Sequence, residues 1–264
     1  MRLKSYLFIA LAVSSIYSCS NDNDDNPENS FSITFPLNDG NYWNYDIVTD
    51  GATSRDSVFI SHDTVINSIT YKKVETEVIP TGFYSSSLKD NALRNNNQKL
   101  LLTGDLSFLA GQSLPVGVDL SVTDFTILDN NASSGTQLSS KSGSISQTIN
   151  SVPVTMNYTL KTVAGTDYES ITINNVTYQN VKTTNVILTA SAYTTIIPGY
   201  DQDILSPSDQ NVMVSEILFA DGIGAIAITT DISFTLDASI ASGLGISQSQ
   251  SQHQEETLDT YHIN

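Results

Sequence analysis

The sequence predicts an all-β fold: a large antiparallel, curved sheet forming a barrel, a half-barrel or a sandwich, with few or no helices after the N-terminal segment. Three observations predict it. Apolar residues alternate with polar ones, most plainly where Val152, Val154, Met156, Tyr158 and Leu160 interleave with Pro153, Thr155, Asn157, Thr159 and Lys161. Turn signals such as Asp39-Gly40, Asp50-Gly51 and Asp221-Gly222 punctuate the chain. Helical periodicity is scarce throughout.

The first 18 residues stand apart. Arg2 and Lys4 precede the apolar run Tyr6 to Val13, and small residues Ser14, Ser15 and Ser18 follow. This is the anatomy of a secretory signal, too short to cross a bilayer, which needs about 20 apolar residues. The only cysteine of the chain, Cys19, stands where cleavage is expected. Ile16-Tyr17-Ser18-Cys19 resembles the lipobox of a bacterial lipoprotein, with Tyr17 departing from the usual small or aliphatic residue. That resemblance implies an acylated Cys19 as the first mature residue. A mature lipoprotein carries two or three acyl chains, which suffice for stable anchoring where one does not. Asp22, Asp24 and Asp25, amid Asn and Ser, resemble the acidic tether that marks lipoproteins for the cell surface in Bacteroidota. They also read as a solvated linker. The expected organisation is residues 1–18 as signal, 19–30 as lipidated cysteine and tether, and 31–264 as a single all-β domain.

Charge narrows the partners. The chain carries a net charge of −17, and removal of residues 1–18 takes away Arg2, Lys4 and no acid, leaving −19. So few scattered cations cannot form a phosphate-tracking face, so nucleic acid is not an expected partner. The expected membrane contact is through the acyl chains on Cys19. With no further cysteine, stability has to come from a core, and some 230 residues suffice for one.

Taken in order, Tyr42 to Val48 reads as a strand between the two Asp-Gly turns, and Arg55 to Ser61 and Thr64 to Ile66 continue as strands. Ile66-Asn67-Ser68-Ile69-Thr70-Tyr71 recurs 107 residues later as Ile173-Asn174-Asn175-Val176-Thr177-Tyr178. Each copy reads as a hairpin on an Asn-led two-residue turn. The repeat marks either a duplicated half-domain, around 35–103 and 145–264, or one turn chemistry used twice. A short helix over 85–94 has little pattern to support it. Leu93 to Leu102 reads as strand, turn, strand, and Phe125 to Leu128 as a short strand. Residues 129–143 read as a polar loop. Strands follow over 152–160, with Pro153 at an edge or a strand start, then over 186–193, 212–219 and 225–236. Residues 198–207 read as a loop, 243–252 as a loop or very polar strands, and Leu258 to Ile263 as a closing strand.

Phe35-Pro36-Leu37 with Gly40-Asn41-Tyr42-Trp43, Thr70-Tyr71-Lys72-Lys73, Tyr178-Gln179-Asn180-Val181 and Phe219-Ala220-Asp221-Gly222-Ile223-Gly224 carry a further resemblance. On them the mature chain resembles a loose group of uncharacterised surface lipoproteins of Bacteroidota. These are fold markers, and the group has no activity to transfer. The run Phe219 to Gly224 is also similar to curved-sheet periplasmic carriers of lipids and lipoproteins. Asp56-Ser57-Val58 and Asp63-Thr64-Val65 look like the O-glycosylation acceptors of the same bacteria, which would place a glycan on Ser57 and Thr64.

Chemistry is sparse. His62, His253 and His262 lack metal-ligand spacing, and no Gly-x-Ser-x-Gly is present. Asp201, Asp203 and Asp209 read as a solvated loop rather than a calcium site. Glu75/Glu77 and the adjacent Glu255/Glu256 are paired carboxylates without supporting context for glycoside hydrolysis. No cofactor and no metal is expected. Trp43, with Tyr42 and Tyr45, reads as a core plug or as a stacking platform for a sugar. The expectation is therefore a non-catalytic lipoprotein of the cell outer membrane, displayed on the surface or facing the periplasm. It would bind glycan or an envelope or host partner. The alternative is a carrier holding an apolar ligand on its curved sheet; an enzyme ranks third.

Overall fold

The computed structural model describes residues 31–106, 120–149, 152–197, 200–244 and 247–264. Residues 1–30, and with them the signal, Cys19 and the tether, lie outside the described residues. Strands β1 (Tyr42–Thr49), β2 (Ala52–Ile66) and β3 (Ile69–Thr76) lead into the short helix α1 (Phe83–Leu88). Then come β4 (Ala92–Asn96), β5 (Lys99–Leu106), β6 (Leu120–Asp129), β7 (Gln137–Ile149), β8 (Val152–Ala164), β9 (Tyr168–Ile173), β10 (Val176–Ile197), β11 (Tyr200–Asp203), β12 (Asp209–Ala220) and β13 (Gly224–Thr235). Helix α2 (Ala238–Leu244) and β14 (Ser249–His262) complete the order.

Among the described residues, all fourteen strands belong to one antiparallel sheet. Its order is β6-β5-β4-β3-β2-β1-β14-β13-β12-β10-β8-β7, with β9 and β11 paired to β10. The two ends of that order return to each other. The Thr126 amide donates to Ser139 Oγ at 2.9 Å, and Thr162 Oγ1 donates to the Thr126 carbonyl at 2.6 Å. The sheet is thereby nearly closed into a barrel, and its inward side chains form one apolar core.

Chain direction alternates, so the connections fall at two ends. At the first end, residues 31–41 run across the barrel mouth. The Ile33 amide donates to Asn130 Oδ1, the Thr34 amide to Asp221 Oδ1, and Asn95 Nδ2 to the Phe35 carbonyl. Ile33 and Phe35 are buried there, with Phe35 against Trp43 (5.6 Å between ring centroids) and Phe219 (6.1 Å). Gly224, at φ +109, turns β12 into β13 beside these rings. A Cβ there would lie 3.1 Å from Trp43 Nε1 and 3.2 Å from Phe35 Cε2. The opposite end holds the β1–β2 turn, α1, and α2.

The structure differs from the sequence reading at particular elements. Residues 55–66 form one strand whose register shifts between Ile60 and Asp63. The expected polar loop over 129–143 ends at residue 136, because β7 gains ladder bonds to β8 despite its Ser-rich, exposed sequence. Residues 200–203, expected in a loop, pair with β10. Residues 238–244 form α2, whose last two residues overlap the stretch 243–252 expected as a loop or very polar strands, and from Ser249 that stretch is strand β14. The expected 186–193 strand is one part of β10, which runs 22 residues from the repeat hairpin and bonds to β8, β9, β11 and β12 in turn. Pro153 is the second residue of β8, opposite Thr148.

Both copies of the repeat are hairpins on Asn-led turns with positive φ at both central residues: Asn67 (50°) and Ser68 (66°), then Asn174 (50°) and Asn175 (65°). Asn97 (49°) and Gln98 (65°) join β4 to β5 in the same way. This is the backbone twist that suits a two-residue hairpin.

Candidate ligand cleft and the closed interior

Alternation along β1 decides which aromatic side chains can meet a ligand. Trp43 and Tyr45 point inward and are 3% and 1% exposed. Trp43 Nε1 donates to the Ile223 carbonyl at 2.6 Å, and the Tyr45 hydroxyl donates to the Ala225 carbonyl at 3.0 Å. Burial raises the Tyr45 pKa well above its ordinary value. Both side chains are therefore core residues, which for Trp43 is the core plug of the sequence reading rather than its alternative, a stacking platform. Tyr42 points outward and stacks on His262 with 5.8 Å between centroids and 24° between planes.

Tyr42 lines an outer cleft of about 410 Å³ together with Asn44, Arg55, Asp56, Ser57, Glu77 and Val78. The register of β2, β1 and β14 builds it. Asn44 faces Ser57 and Thr260, and Asp46 faces Arg55. Asn44 Nδ2 donates to Thr260 Oγ1 at 2.9 Å. Arg55 donates to Asp46 at 2.6 Å and also bonds to Asp259. The cleft thus sets one exposed aromatic ring beside an amide, a guanidinium and carboxylates. A sugar presents matching features, an apolar C–H face with a rim of hydroxyl groups. Ser57, one expected glycan acceptor, is half-buried in this cleft, and Thr64 lies half-buried on β2.

The interior is closed by α1. Five consecutive backbone N–H groups leading into and through its first turn donate to side chains of the barrel wall. Thr81 and Gly82 donate to Asp56 at 3.0 and 2.8 Å, Phe83 to Gln254 Oε1 at 2.7 Å, and Tyr84 and Ser85 to Glu256 at 2.6 and 3.4 Å. These N–H groups would otherwise be unpaired at a helix start. Gly82 is required at this seat: a Cβ would lie 2.1 Å from Glu256 Oε2. Burial pushes the Glu256 carboxyl up to about 7, against the lowering pull of the Tyr84 and Ser85 amides. Behind α1, Phe83, Leu88, Phe125, Ile127, Leu160 and Ile217 line a cavity of about 30 Å³. That is room for about one water, not for an acyl chain.

The histidines are placed apart. His62 bonds to Ser61, His253 to Asp231 and Glu255, and His262 stacks on Tyr42 and bonds to Asn264. Asp201 accepts a hydrogen bond from Thr195 Oγ1 at 2.5 Å. Among the described residues no three His, Cys, Asp or Glu side chains converge as a metal site would. Glu255 and Glu256, paired in the sequence, point to opposite sides of β14, outward and inward. The three acceptors that seat α1 were missed by sequence reasoning. A signal was present, since Gln254 and Glu256 alternate in phase with buried Leu258.

No family model matches this chain, and no curated protein matches it. Two crystal structures are similar in part. One is of a candidate lipoprotein from Parabacteroides distasonis (12% identity, TM-score 0.40, 88% of this chain and 99% of that one). The other is of a candidate exported protein with a YmcC-like fold from Bacteroides fragilis (8% identity, TM-score 0.39, 88% of this chain and 100% of that one).

Proposed function

We propose that this chain is a non-catalytic lipoprotein of the cell outer membrane, anchored through acyl chains on Cys19 and displayed at the surface, and that it binds glycan in the cleft beside Tyr42. The observation that carries the binding site is the exposed Tyr42 ring set among Asn44, Arg55 and Glu77 on an outer wall. The lipobox-like Ile16-Tyr17-Ser18-Cys19 and the acidic Asp22, Asp24 and Asp25 support the anchor and the display. The test is a glycan array probed with residues 27–264. Tyr42→Ala and Arg55→Ala are expected to lower any signal at least tenfold, with the fold unchanged by circular dichroism. Binding that survives both substitutions overturns the assignment to this cleft. A carrier of an apolar ligand is the second reading, favoured by the apolar lining behind α1. It requires α1 to leave its seat, and lipid masses in native mass spectra of the protein from its producing organism would support it over the glycan reading.

A further inference from the structure

The hairpins β2–β3 and β4–β5 part where their register would have them pair. Strand β3 bonds toward β4 through its even-numbered residues. The Val74 amide donates to the Asn91 carbonyl at 2.9 Å, the Asp90 amide donates to the Val74 carbonyl at 3.1 Å, and Lys72 pairs with Leu93. Two residues further on, the same register sets Thr70 opposite Asn95. Among the described residues that pair is not made, and the ladder of β3 on β4 ends at Lys72 and Leu93. Both strands nevertheless continue to their own turns, β3 to Ile69 and β4 to Asn96. In an antiparallel ladder the backbone groups of successive residues point to alternate sides. Ile69 and Tyr71 bond toward β2, so the N–H and C=O of Thr70 point toward β4. Asn96 and Lys99 close the second hairpin, so by the same rule those of Asn95 point toward β3.

A slot of about 510 Å³ lies between the parted strands. Thr70, Tyr71 and Lys72 line it from one side and Leu93, Arg94 and Asn95 from the other, with residues 34–38 completing it. Both walls are fixed before anything enters. Arg94 donates to the two oxygens of Asp124 at 2.8 and 2.6 Å, and the Tyr71 hydroxyl donates to the same carboxylate at 2.8 Å. Asn95 Nδ2 donates to the Phe35 carbonyl at 2.8 Å. The Lys72 ammonium lies between Asp39 at 2.8 Å and Asp63 at 2.5 Å. Two cations are thus set against three carboxylates, in a chain of net charge −17.

We propose that this slot is a docking site for an extended, basic peptide segment of a partner protein, which enters as an extra strand between β3 and β4. The occupant follows from what the walls offer. Thr70 and Asn95 present facing strand edges, and an extended backbone is what completes such edges. In this mode of recognition the main-chain bonds supply affinity and the side chains supply choice. Neighbouring strands sit about 4.8 Å apart, so one inserted strand bonds to Thr70 on one side and to Asn95 on the other. The excess of carboxylates selects Lys or Arg on the incoming segment over Asp or Glu. It also disfavours a second copy of this chain, which brings its own negative charge. The site depends neither on the Tyr42 cleft nor on acylation of Cys19.

The experiment selects a phage-displayed random hexapeptide library on the mature chain with Cys19→Ser, and the enriched peptides are then synthesised. They are expected to carry Lys or Arg and to bind Thr70→Pro at least tenfold more weakly than the unsubstituted chain. That substitution removes the N–H that faces the slot and leaves the bonds of β3 to β2 in place, which circular dichroism checks. Asp63→Lys reverses a charge at the slot without touching the backbone, and is expected to weaken binding at least threefold. With peptide bound, hydrogen exchange at the Thr70 and Asn95 amides is expected to slow at least tenfold, a readout that needs no variant. Enriched peptides that are acidic, that ignore both substitutions or that protect neither amide overturn the proposal, as does a selection that enriches none. Dimerisation of the chain that Thr70→Pro abolishes also overturns it, by giving the slot to a second copy.

Discussion

At the end where residue 31 enters, the barrel is closed by the apolar side chains Ile33 and Phe35 against Trp43 and Phe219. At the other end it is closed by α1, held through five amide donors on Asp56, Gln254 and Glu256. Apolar closure draws on burial and is indifferent to protons. Polar closure in a dry place is not, because the acceptor that holds the helix is also a group that burial resists charging. The same sheet is therefore shut by a pH-independent plug at one end and by a proton-linked one at the other.

Truncating the first plug should have the largest effect. Trp43→Ala removes a ring that is 3% exposed and is expected to cost about 4 kcal/mol. Urea unfolding at pH 5 and pH 8 should show nearly the same loss, and a strongly pH-dependent loss would erase the contrast between the ends. The second plug supplies the next effect. The folded-state pKa of Glu256 is raised to about 7 from 4.5, so its stabilising contribution is fully present below about pH 4.5 and is lost as the pH rises through 7. Glu256→Gln cannot ionise and keeps an acceptor for the Tyr84 amide. It is expected to be close to neutral at pH 4.5 and to stabilise by about 3 kcal/mol at pH 8. A variant no more stable than wild type at pH 8 would mean that the carboxyl is not desolvated at its seat. The smallest effect tests the hairpins that flank the first plug. Asn67→Ala and Asn174→Ala, each at positive φ, are expected to cost about 1 kcal/mol, with Gly at either site tolerated within about half that.

These contrasts also explain what was legible. The strands with a wet and a dry face, such as β1, β8 and β13, show alternation in the sequence because one face is buried. The Asn-led turns were readable because positive φ at two adjacent residues narrows the choice of side chain. Helix α1 was not placed correctly, since Phe83-Tyr84-Ser85-Ser86-Ser87-Leu88 has little helical pattern of its own. Tertiary acceptors from β2 and β14 hold it. Strand β7 was hidden because Ser139 to Gln147 gains its ladder from β8 and buries little. At the cleft, the outward set of Tyr42, Asn44 and Arg55 follows from alternation. Which of Tyr42, Trp43 and Tyr45 faces solvent depended on the side from which the barrel closes, and local sequence does not state that.

The position of β1 has a consequence for how the protein comes into being. It lies between β2 and β14, so one neighbour follows it after a two-residue turn and the other arrives some two hundred residues later. Such a pairing is slow to find. While residues 52–248 emerge, the β1–β2–β3 meander carries an open hydrogen-bonding edge, which is a template for joining another copy. Under the proposed export of the chain, folding is delayed to advantage. A chain kept extended until residues 249–262 have emerged can seal β1 with its own last strand, and any truncation before that strand leaves the edge open.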